Sequence, residues 1–164
     1  MIKESNSKAI DQLSFSIGKR KEESLVIDIN MVLELFDKYG NKKDERSVHN
    51  TMTSAGRNGI VNQLLAAPTL PKLGWCAVGT GSPGATLLGA EIARVVFDSK
   101  NVTTNVCTTI TTFPAGTGTG ALTEEGLFDV VTANTVNMWC NSTFGTLTKG
   151  ASDSVVVTHT ITIN

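Results

Sequence analysis

The sequence has little net charge, few cysteines and no long apolar run. Its 164 residues carry 14 Lys and Arg against 15 Asp and Glu, which gives a formal net charge of -1. Nucleic acids and anionic membranes are bound by clustered basic side chains, so neither is expected as a partner. No run approaches the roughly 20 apolar residues that span a bilayer, and the N-terminus lacks the apolar core of a secretion signal. We expect a soluble product made in the cytoplasm.

Motifs for metal binding and catalysis are also missing. Cys76, Cys107 and Cys140 lie far apart, without C-x-x-C or histidine-paired spacing. We therefore expect buried or free thiols, and neither a zinc site nor a disulfide framework. His159 falls at an otherwise apolar strand position, which favours a core or interface histidine. Composition leaves room for a Ser-His-Asp triad, but neither G-x-S-x-G nor H-E-x-x-H occurs. The sequence thus predicts no catalytic, cofactor-binding or metal-binding residue.

The two ends of the chain differ in composition. Residues 1–23 are polar and charged with sparse apolar residues, which is typical of a flexible arm or of an arm ordered by a partner. Of the 29 charged residues, 18 lie in the first fifty, and the remainder of the chain is rich in Thr, Gly, Val and Ala. We predict an N-terminal arm over residues 1–23 and one domain over residues 24–164.

Alternating apolar and polar residues predict strands at both ends of that domain. The alternation runs from Leu25 to Leu35 and again over residues 154–163, which indicates strands with one buried face. Turn residues around Gly40 follow the first run, and residues 46–50 can return as the second strand of a hairpin.

The rest of the C-terminal half is dense in strand-forming residues. Runs of Thr, Val and Ile at 101–113 and 130–140 are separated by breakers at 114–120, 141–145 and 148–153. This spacing predicts a mainly β fold, either an antiparallel β-sandwich or a small barrel.

One short helix is expected among the strands, over about residues 53–66. Thr53 or Ser54 can cap its N-terminus, and Pro68 and Pro71 would end it. Four residues would form the apolar stripe of such a helix, namely Ile60, Val61, Leu64 and Leu65.

A glycine triplet suggests a dinucleotide site. Gly79, Gly81 and Gly84 spell G-x-G-x-x-G after an apolar run, and Asp98 lies 19 residues after the first glycine. A dinucleotide fold also needs a long crossover helix and parallel strands. Only ten residues follow before the next strand-like run, with Gly89 near their middle, which is too few for that crossover. We interpret the triplet as a loop joining two elements.

Two residue pairs could act on sugars. Glu124 and Glu125 are adjacent, so in an extended segment they point to opposite faces, whereas a glycosidase needs two carboxyls facing one gap. We expect a turn or loop there. Trp75 and Trp139 could stack on a sugar or base, but each lies in an apolar segment, which favours core packing or a subunit contact. A carbohydrate-binding sandwich stays an alternative.

Four segments of the sequence follow one another in an order that also occurs in other proteins. They are GWCAVGTGSPGATLLGAEIARVVF (74–97), TTFPAG (111–116), ALTEEGLFD (121–129) and TFGTLTKGASDSVVVTHTITIN (143–164). This order resembles a recurring pattern in small structural proteins of tailed bacteriophages. The stretch 33–65 is similar to the strand, D-x-x-G turn, strand and helix that precede it in those proteins. The resemblance covers about residues 25–164, and TEEGLF is its most distinctive part.

The resemblance implies a β-sandwich virion component without enzymatic activity or cofactor. Together with the low-charge β body and the polar arm, it leads us to expect a capsid decoration (cement) protein that binds the outer capsid surface and stabilises the head. Its partners would be the major capsid protein or neighbouring virion proteins. We also expect a homo-oligomer, for which a trimer is one arrangement. A tail, baseplate or fibre-adaptor protein is the alternative location. The arm from Lys3 to Glu23 and the loop from Gly79 to Gly84 are the expected contact regions.

Overall fold

The computed structural model describes residues 26–164, and the arm expected over residues 1–23 lies outside the described residues. The described part folds into two antiparallel sheets of five strands each and one short helix. The elements are β1 (Ile27–Phe36), β2 (Lys42–His49), β3 (Thr51–Met52), α1 (Ser54–Asn62), β4 (Trp75–Gly79), β5 (Glu91–Val96), β6 (Ser99–Thr103), β7 (Val106–Phe113), β8 (Gly120–Phe128), β9 (Met138–Lys149) and β10 (Ser154–Ile163).

The two sheets pack face to face as a β-sandwich, which confirms that part of the fold prediction. The first sheet has the strand order β2-β1-β10-β7-β6, and the second has the order β3-β9-β8-β4-β5. Alternate side chains of both inner faces meet in one apolar core. Fully buried members of this core include Leu33, Phe113, Leu122, Leu147 and Val157.

The strand expected from the first alternating run is β1. Its inward residues include Met31 and Leu33, which are fully buried. It pairs with β10 along its whole length, from Ile27 opposite Ile163. Gly40, with φ of 85°, lies in the turn to β2. That second strand begins at Lys42, earlier than residue 46, and the predicted hairpin is confirmed.

Helix α1 is shorter than expected and packs through glycines. Thr53 caps it, since its hydroxyl accepts a hydrogen bond from the backbone N–H of Gly56 at 3.0 Å. The buried residues of the helix are Gly56 and Gly59, which lie against Trp139. A Cβ on Gly59 would overlap the Trp139 ring. The helix can therefore approach β9 this closely only through a face without side chains.

The expected apolar stripe of the helix does not face the core. Val61, Leu64 and Leu65 are all exposed, and the helix ends at Asn62, before two of them. The one short helix is confirmed, but it ends at Asn62 instead of near residue 66. Its buried face is formed by glycines, and only Ile60 of the expected stripe is half-buried. Glycine has no side chain and is not counted as an apolar residue in a helical pattern. A buried face made of glycines is therefore not detected by apolar periodicity.

Three strand boundaries also differ from expectation. The run 101–113 is divided by a turn at Thr104, with φ of 56°, into β6 and β7. Most of the segment 130–140 is a loop, and β9 begins only at Met138. The break expected at 141–145 lies inside β9, where Thr143 pairs with Glu124 of β8. Cross-strand pairing here overrides the turn preference of Asn and Gly.

Candidate functional site

The glycine triplet begins at the last residue of β4, Gly79, and continues into a loop that wraps around a carboxylate of the protein itself. Residues 80–90 connect β4 to β5, which are antiparallel neighbours, so the predicted loop between two elements is confirmed. The buried carboxylate of Glu124 accepts hydrogen bonds from the backbone N–H groups of Gly81 at 3.0 Å, Gly89 at 2.8 Å and Ala90 at 2.7 Å. Such amide donors hold a phosphate in dinucleotide-binding loops, and here they hold an internal anion.

Close packing around this loop explains Gly79, Gly81 and Gly89, but not Gly84, where an added Cβ would make only an ordinary contact. A Cβ on Gly79 would overlap the Glu124 carboxylate, and a Cβ on Gly81 would lie 2.8 Å from the backbone nitrogen of Ala90. A Cβ on Gly89 would overlap the backbone on the other side of the loop. Three glycines are therefore required for the loop to close on Glu124, independently of any ligand.

The neighbouring carboxylate, Glu125, points to the opposite side of β8, into the core. Its Oε1 lies 2.8 Å from Nε2 of His159. Its Oε2 accepts hydrogen bonds from Asn50 Nδ2 at 3.0 Å and from Ser142 Oγ at 3.1 Å. The prediction that the two glutamates face opposite sides is confirmed. The prediction of a turn or loop is wrong, because both residues lie in β8, which pairs with β4 and β9 along its two edges.

The cluster around Glu125 contains a serine, a histidine and a carboxylate, as a hydrolase triad does, but they do not contact one another in the sequence serine, histidine, carboxylate. Ser142 and His159 each contact Glu125, which lies between them, whereas nucleophilic catalysis requires the serine to contact the histidine. The side chains of Glu125 and His159 have no exposed surface. His159 belongs to the first sheet and Glu125 to the second, so their contact joins the two sheets across the core. The expectation of a core histidine is confirmed.

Two cysteines flank the buried carboxylate. The Sγ of Cys76 lies 3.9 Å from Glu125 Oε1, and Asn50 Nδ2 lies 3.7 Å from the Sγ of Cys140. Burial, and then the nearby Glu125 charge, raises the pKa of both thiols. Cys107 is half-buried, and burial raises its pKa as well. All three thiols are free, as predicted, and their raised pKa values favour the neutral, unreactive form.

A buried ion pair, which the sequence analysis missed, covers the outer side of the second sheet. Arg94 binds both carboxylate oxygens of Glu91, at 2.9 and 2.7 Å, and its guanidinium lies 3.6 Å from the centre of the Phe128 ring. Arg94 also donates to the carbonyl of Val130 at 3.0 Å, and the backbone N–H of Asn134 donates to Glu91. The pair thereby fastens the loop between β8 and β9. Residues three positions apart point to opposite faces of a regular strand. The register of β5 shifts between Ala93 and Glu91, so the local pattern does not predict this pair.

The end of α1 carries an exposed apolar surface, which we call the helix-end patch. It consists of Val61, Leu64, Leu65 and Leu70, whose exposed fractions are 63%, 82%, 53% and 39%. Three of these residues line a shallow depression of about 340 Å³ together with two asparagines of the helix. Large contiguous apolar patches on protein surfaces mark interaction sites, so this surface is a candidate contact region.

The remaining candidate residues lie apart from one another. Trp139 is 7% exposed beneath α1, and Trp75 is half-buried beside Phe128. This agrees with the expected core packing and disfavours a sugar-stacking platform at Trp139. His49 is exposed and lies 3.0 Å from a carboxylate oxygen of Asp28. Asp98 lies between β5 and β6, where its N–H donates to a β7 carbonyl.

Within residues 26–164, no group of three or more His, Cys, Asp or Glu side chains is placed to hold a metal ion. The described helix is too short to cross a membrane. Comparison with protein-family models, with curated proteins and with solved structures finds no match.

Proposed function

We propose that this protein is a non-enzymatic structural component of a tailed-phage virion, and within that class a decoration protein that binds the outer capsid surface and stabilises the head. It would act as a homo-oligomer on the major capsid protein or on neighbouring virion proteins. The order of motifs from residue 25 to residue 164 supports the class.

The observation that carries the proposal is the helix-end patch. Leu64 is 82% exposed although it is among the most apolar residues of the chain, and Val61 and Leu65 are more than half exposed beside it. Burying one such side chain against a partner contributes roughly 1.5–3 kcal/mol. A patch of four can therefore supply a specific contact, particularly where a symmetric lattice repeats it many times.

The placement of the reactive side chains supports a structural role. The carboxylate of Glu124 is enclosed by the glycine loop, and Glu125 is shared among His159, Asn50 and Ser142 in the core. These are the groups that acid, base or nucleophilic chemistry would need at a surface. In this protein they hold the two sheets and a loop together.

The experiment compares the binding of two variants to particles that lack the protein. Leu64→Asp combined with Leu65→Asp places charge in the patch, and Val131→Asp is the matched control at an apolar residue that is 60% exposed in another loop. We expect binding to weaken at least about tenfold for the first variant and little for the control, since central apolar contacts dominate interfaces. Equal binding by all three proteins would contradict the proposed contact.

The location on the virion needs a separate observation, because a tail, baseplate or fibre-adaptor protein could use the same patch. Antibody labelling of intact particles is expected to mark the head, and labelling confined to the tail would replace the proposed location with the alternative. Truncation of residues 1–23 tests the arm. If both particle binding and particle stability stay unchanged, its anchoring role is wrong.

A further inference from the structure

An apolar groove opens between the two sheets at one end of the sandwich. Its volume is about 290 Å³, and its walls include Ile29, Ile161 and Ile163 of the first sheet, Trp139 of the second sheet and Ile60 of α1. An apolar occupant is favoured there, because it removes these walls from water. Ligand pockets range over roughly 300–1,000 Å³, and this groove lies at the lower end, which suits a single hydrocarbon chain.

The charges that line the groove are all positive. Lys72, in the segment between α1 and β4, and Lys100, in β6, both line it, and no Asp or Glu of residues 26–164 does so. The Nζ of Lys100 donates a hydrogen bond to the backbone carbonyl of Leu73 at 3.0 Å. Because Leu73 follows Lys72 directly in the chain, the two lysines approach the groove from the same side.

Both lysines are available to an anion. Within the part of the chain that the structure describes, neither of them belongs to an ion pair. The carbonyl of Leu73 uses one donor of Lys100, whereas an ammonium group has three. The groove therefore combines apolar walls with cationic groups at one side, and this combination is complementary to a molecule with an apolar chain and an anionic end.

We propose that the groove binds a free single-chain amphiphile with an anionic head group, of which a medium-chain fatty acid is the simplest example. The hydrocarbon chain lies between the sheets beside Trp139, and Lys72 and Lys100 bind the head group. This inference does not depend on the virion role, because one copy of the chain forms the whole site.

The first test compares three ligands that share a ten-carbon chain. Decanoate, decanol and decyltrimethylammonium have a negative, a neutral and a positive head group, and calorimetric titration of the full-length protein below micelle-forming concentrations measures each affinity. Decanoate should bind at least about threefold more tightly than decanol, as expected for exposed ion pairs, and the cation should bind most weakly. Octanoate should bind more weakly than decanoate, by up to about fourfold for each methylene removed. Equal affinities for the three head groups would overturn the proposal.

The second test removes the two charges. The double variant Lys72→Met with Lys100→Met keeps most of the length of both side chains, so it should weaken decanoate binding at least about threefold and leave decanol binding unchanged. Lys38→Met is the matched control, since Lys38 is exposed in the turn that follows β1, at the opposite end of the first sheet. Equal affinities of the double variant and the control for decanoate would overturn the assignment of the head-group site.

The third test locates the ligand with Cys107. This thiol lines the groove and is half-buried, whereas Cys76 and Cys140 are fully buried. Saturating decanoate should slow the alkylation of Cys107 by N-ethylmaleimide at least about fivefold, because reaction requires access to the thiol. An unchanged rate at saturation would show that decanoate binds elsewhere on the protein and would overturn the proposal.

The last test changes the apolar wall. Val102→Asp places a carboxylate on the groove at a residue that is 66% exposed, and Val131→Asp is the control at a residue that is 60% exposed in another loop. Only the first variant should lose affinity for both decanoate and decanol. Unchanged affinities in Val102→Asp would overturn the proposal. Binding seen only after residues 1–23 are removed, or only after a dimer dissociates, would also overturn it, because protein would then fill the groove.

Discussion

Within β8, two glutamates are fully buried, whereas at the end of α1 three apolar side chains are more than half exposed. The buried carboxylates each accept hydrogen bonds from several partners in other elements. The exposed side chains of the helix-end patch contribute little to the core. The difference separates groups that hold the fold together from groups available to a partner. Substitutions in the first region should cost stability, and substitutions in the second should cost binding.

The largest loss of stability is expected for Glu125→Ala. This change leaves His159, Asn50 and Ser142 buried without their shared partner, and each buried polar group left without a hydrogen bond costs about 1–3 kcal/mol. Urea unfolding monitored by tryptophan fluorescence measures this loss in the free energy of unfolding. The double variant Glu125→Leu with His159→Leu is the control and should recover part of the loss, because fewer polar groups stay unpaired. A loss below about 1 kcal/mol for Glu125→Ala would assign the cluster no structural role.

A smaller loss is expected for Glu124→Gln. The amide keeps one oxygen acceptor but has no charge, and hydrogen bonds to charged groups are worth about 1.5–3 kcal/mol. Hydrogen exchange should quicken at the amides of Gly81, Gly89 and Ala90. Glu34→Gln, on the partly exposed side of β1, is the matched control and should leave those amides unchanged. Unaltered exchange in the Glu124 variant would mean that the carboxylate does not organise the loop.

Gly59→Ala is expected to destabilise the protein by about 1–3 kcal/mol, because the new methyl group overlaps the Trp139 ring. The change would otherwise favour the helix by up to about 1 kcal/mol. Asn58→Ala, at an exposed position of the same helix, provides the control for propensity alone. Thermal unfolding of the two variants distinguishes the effects, and a more stable Gly59→Ala protein would contradict the close packing of α1 on β9.

The smallest effect on stability is expected in the helix-end patch. Leu64→Asp removes little buried surface, because Leu64 is 82% exposed, so the free energy of unfolding should change by at most about 0.5 kcal/mol. Urea titration checks this value alongside the particle-binding assay. A loss of several kcal/mol would show that the patch belongs to the core, and the comparison between the two regions would then fail.

The sequence predicts the interior strands of the first sheet, β1 and β10, better than the central strand of the second sheet, β8. β1 and β10 alternate cleanly because each has one face in the core, and period-two patterning detects that arrangement. β8 does not alternate, since a carboxylate replaces an apolar side chain on its inner face and a loop covers its outer face. The buried carboxylate and the covering loop both depend on contacts with residues far along the chain. The local pattern of β8 therefore predicts neither of them.

The buried face of α1 and the surroundings of Glu124 were also hard to predict from the sequence, because both depend on long-range contacts. The glycine face of α1 is complementary to Trp139, which lies far along the chain, and no periodicity in residues 53–66 indicates it. The triplet at 79–84 did predict a loop correctly, because the length available for a crossover is a local property. The anion that fills this loop, Glu124, could be found only from the three-dimensional arrangement.

The most direct test is a density map of the intact virus particle at a resolution that places side chains. The account predicts copies of this sandwich on the outer face of the head, with Leu64 and Leu65 buried against a neighbouring protein and with Glu124 and Glu125 enclosed as they are here. A map in which the protein is absent from the particle, or in which the helix-end patch faces solvent in every copy, would contradict it.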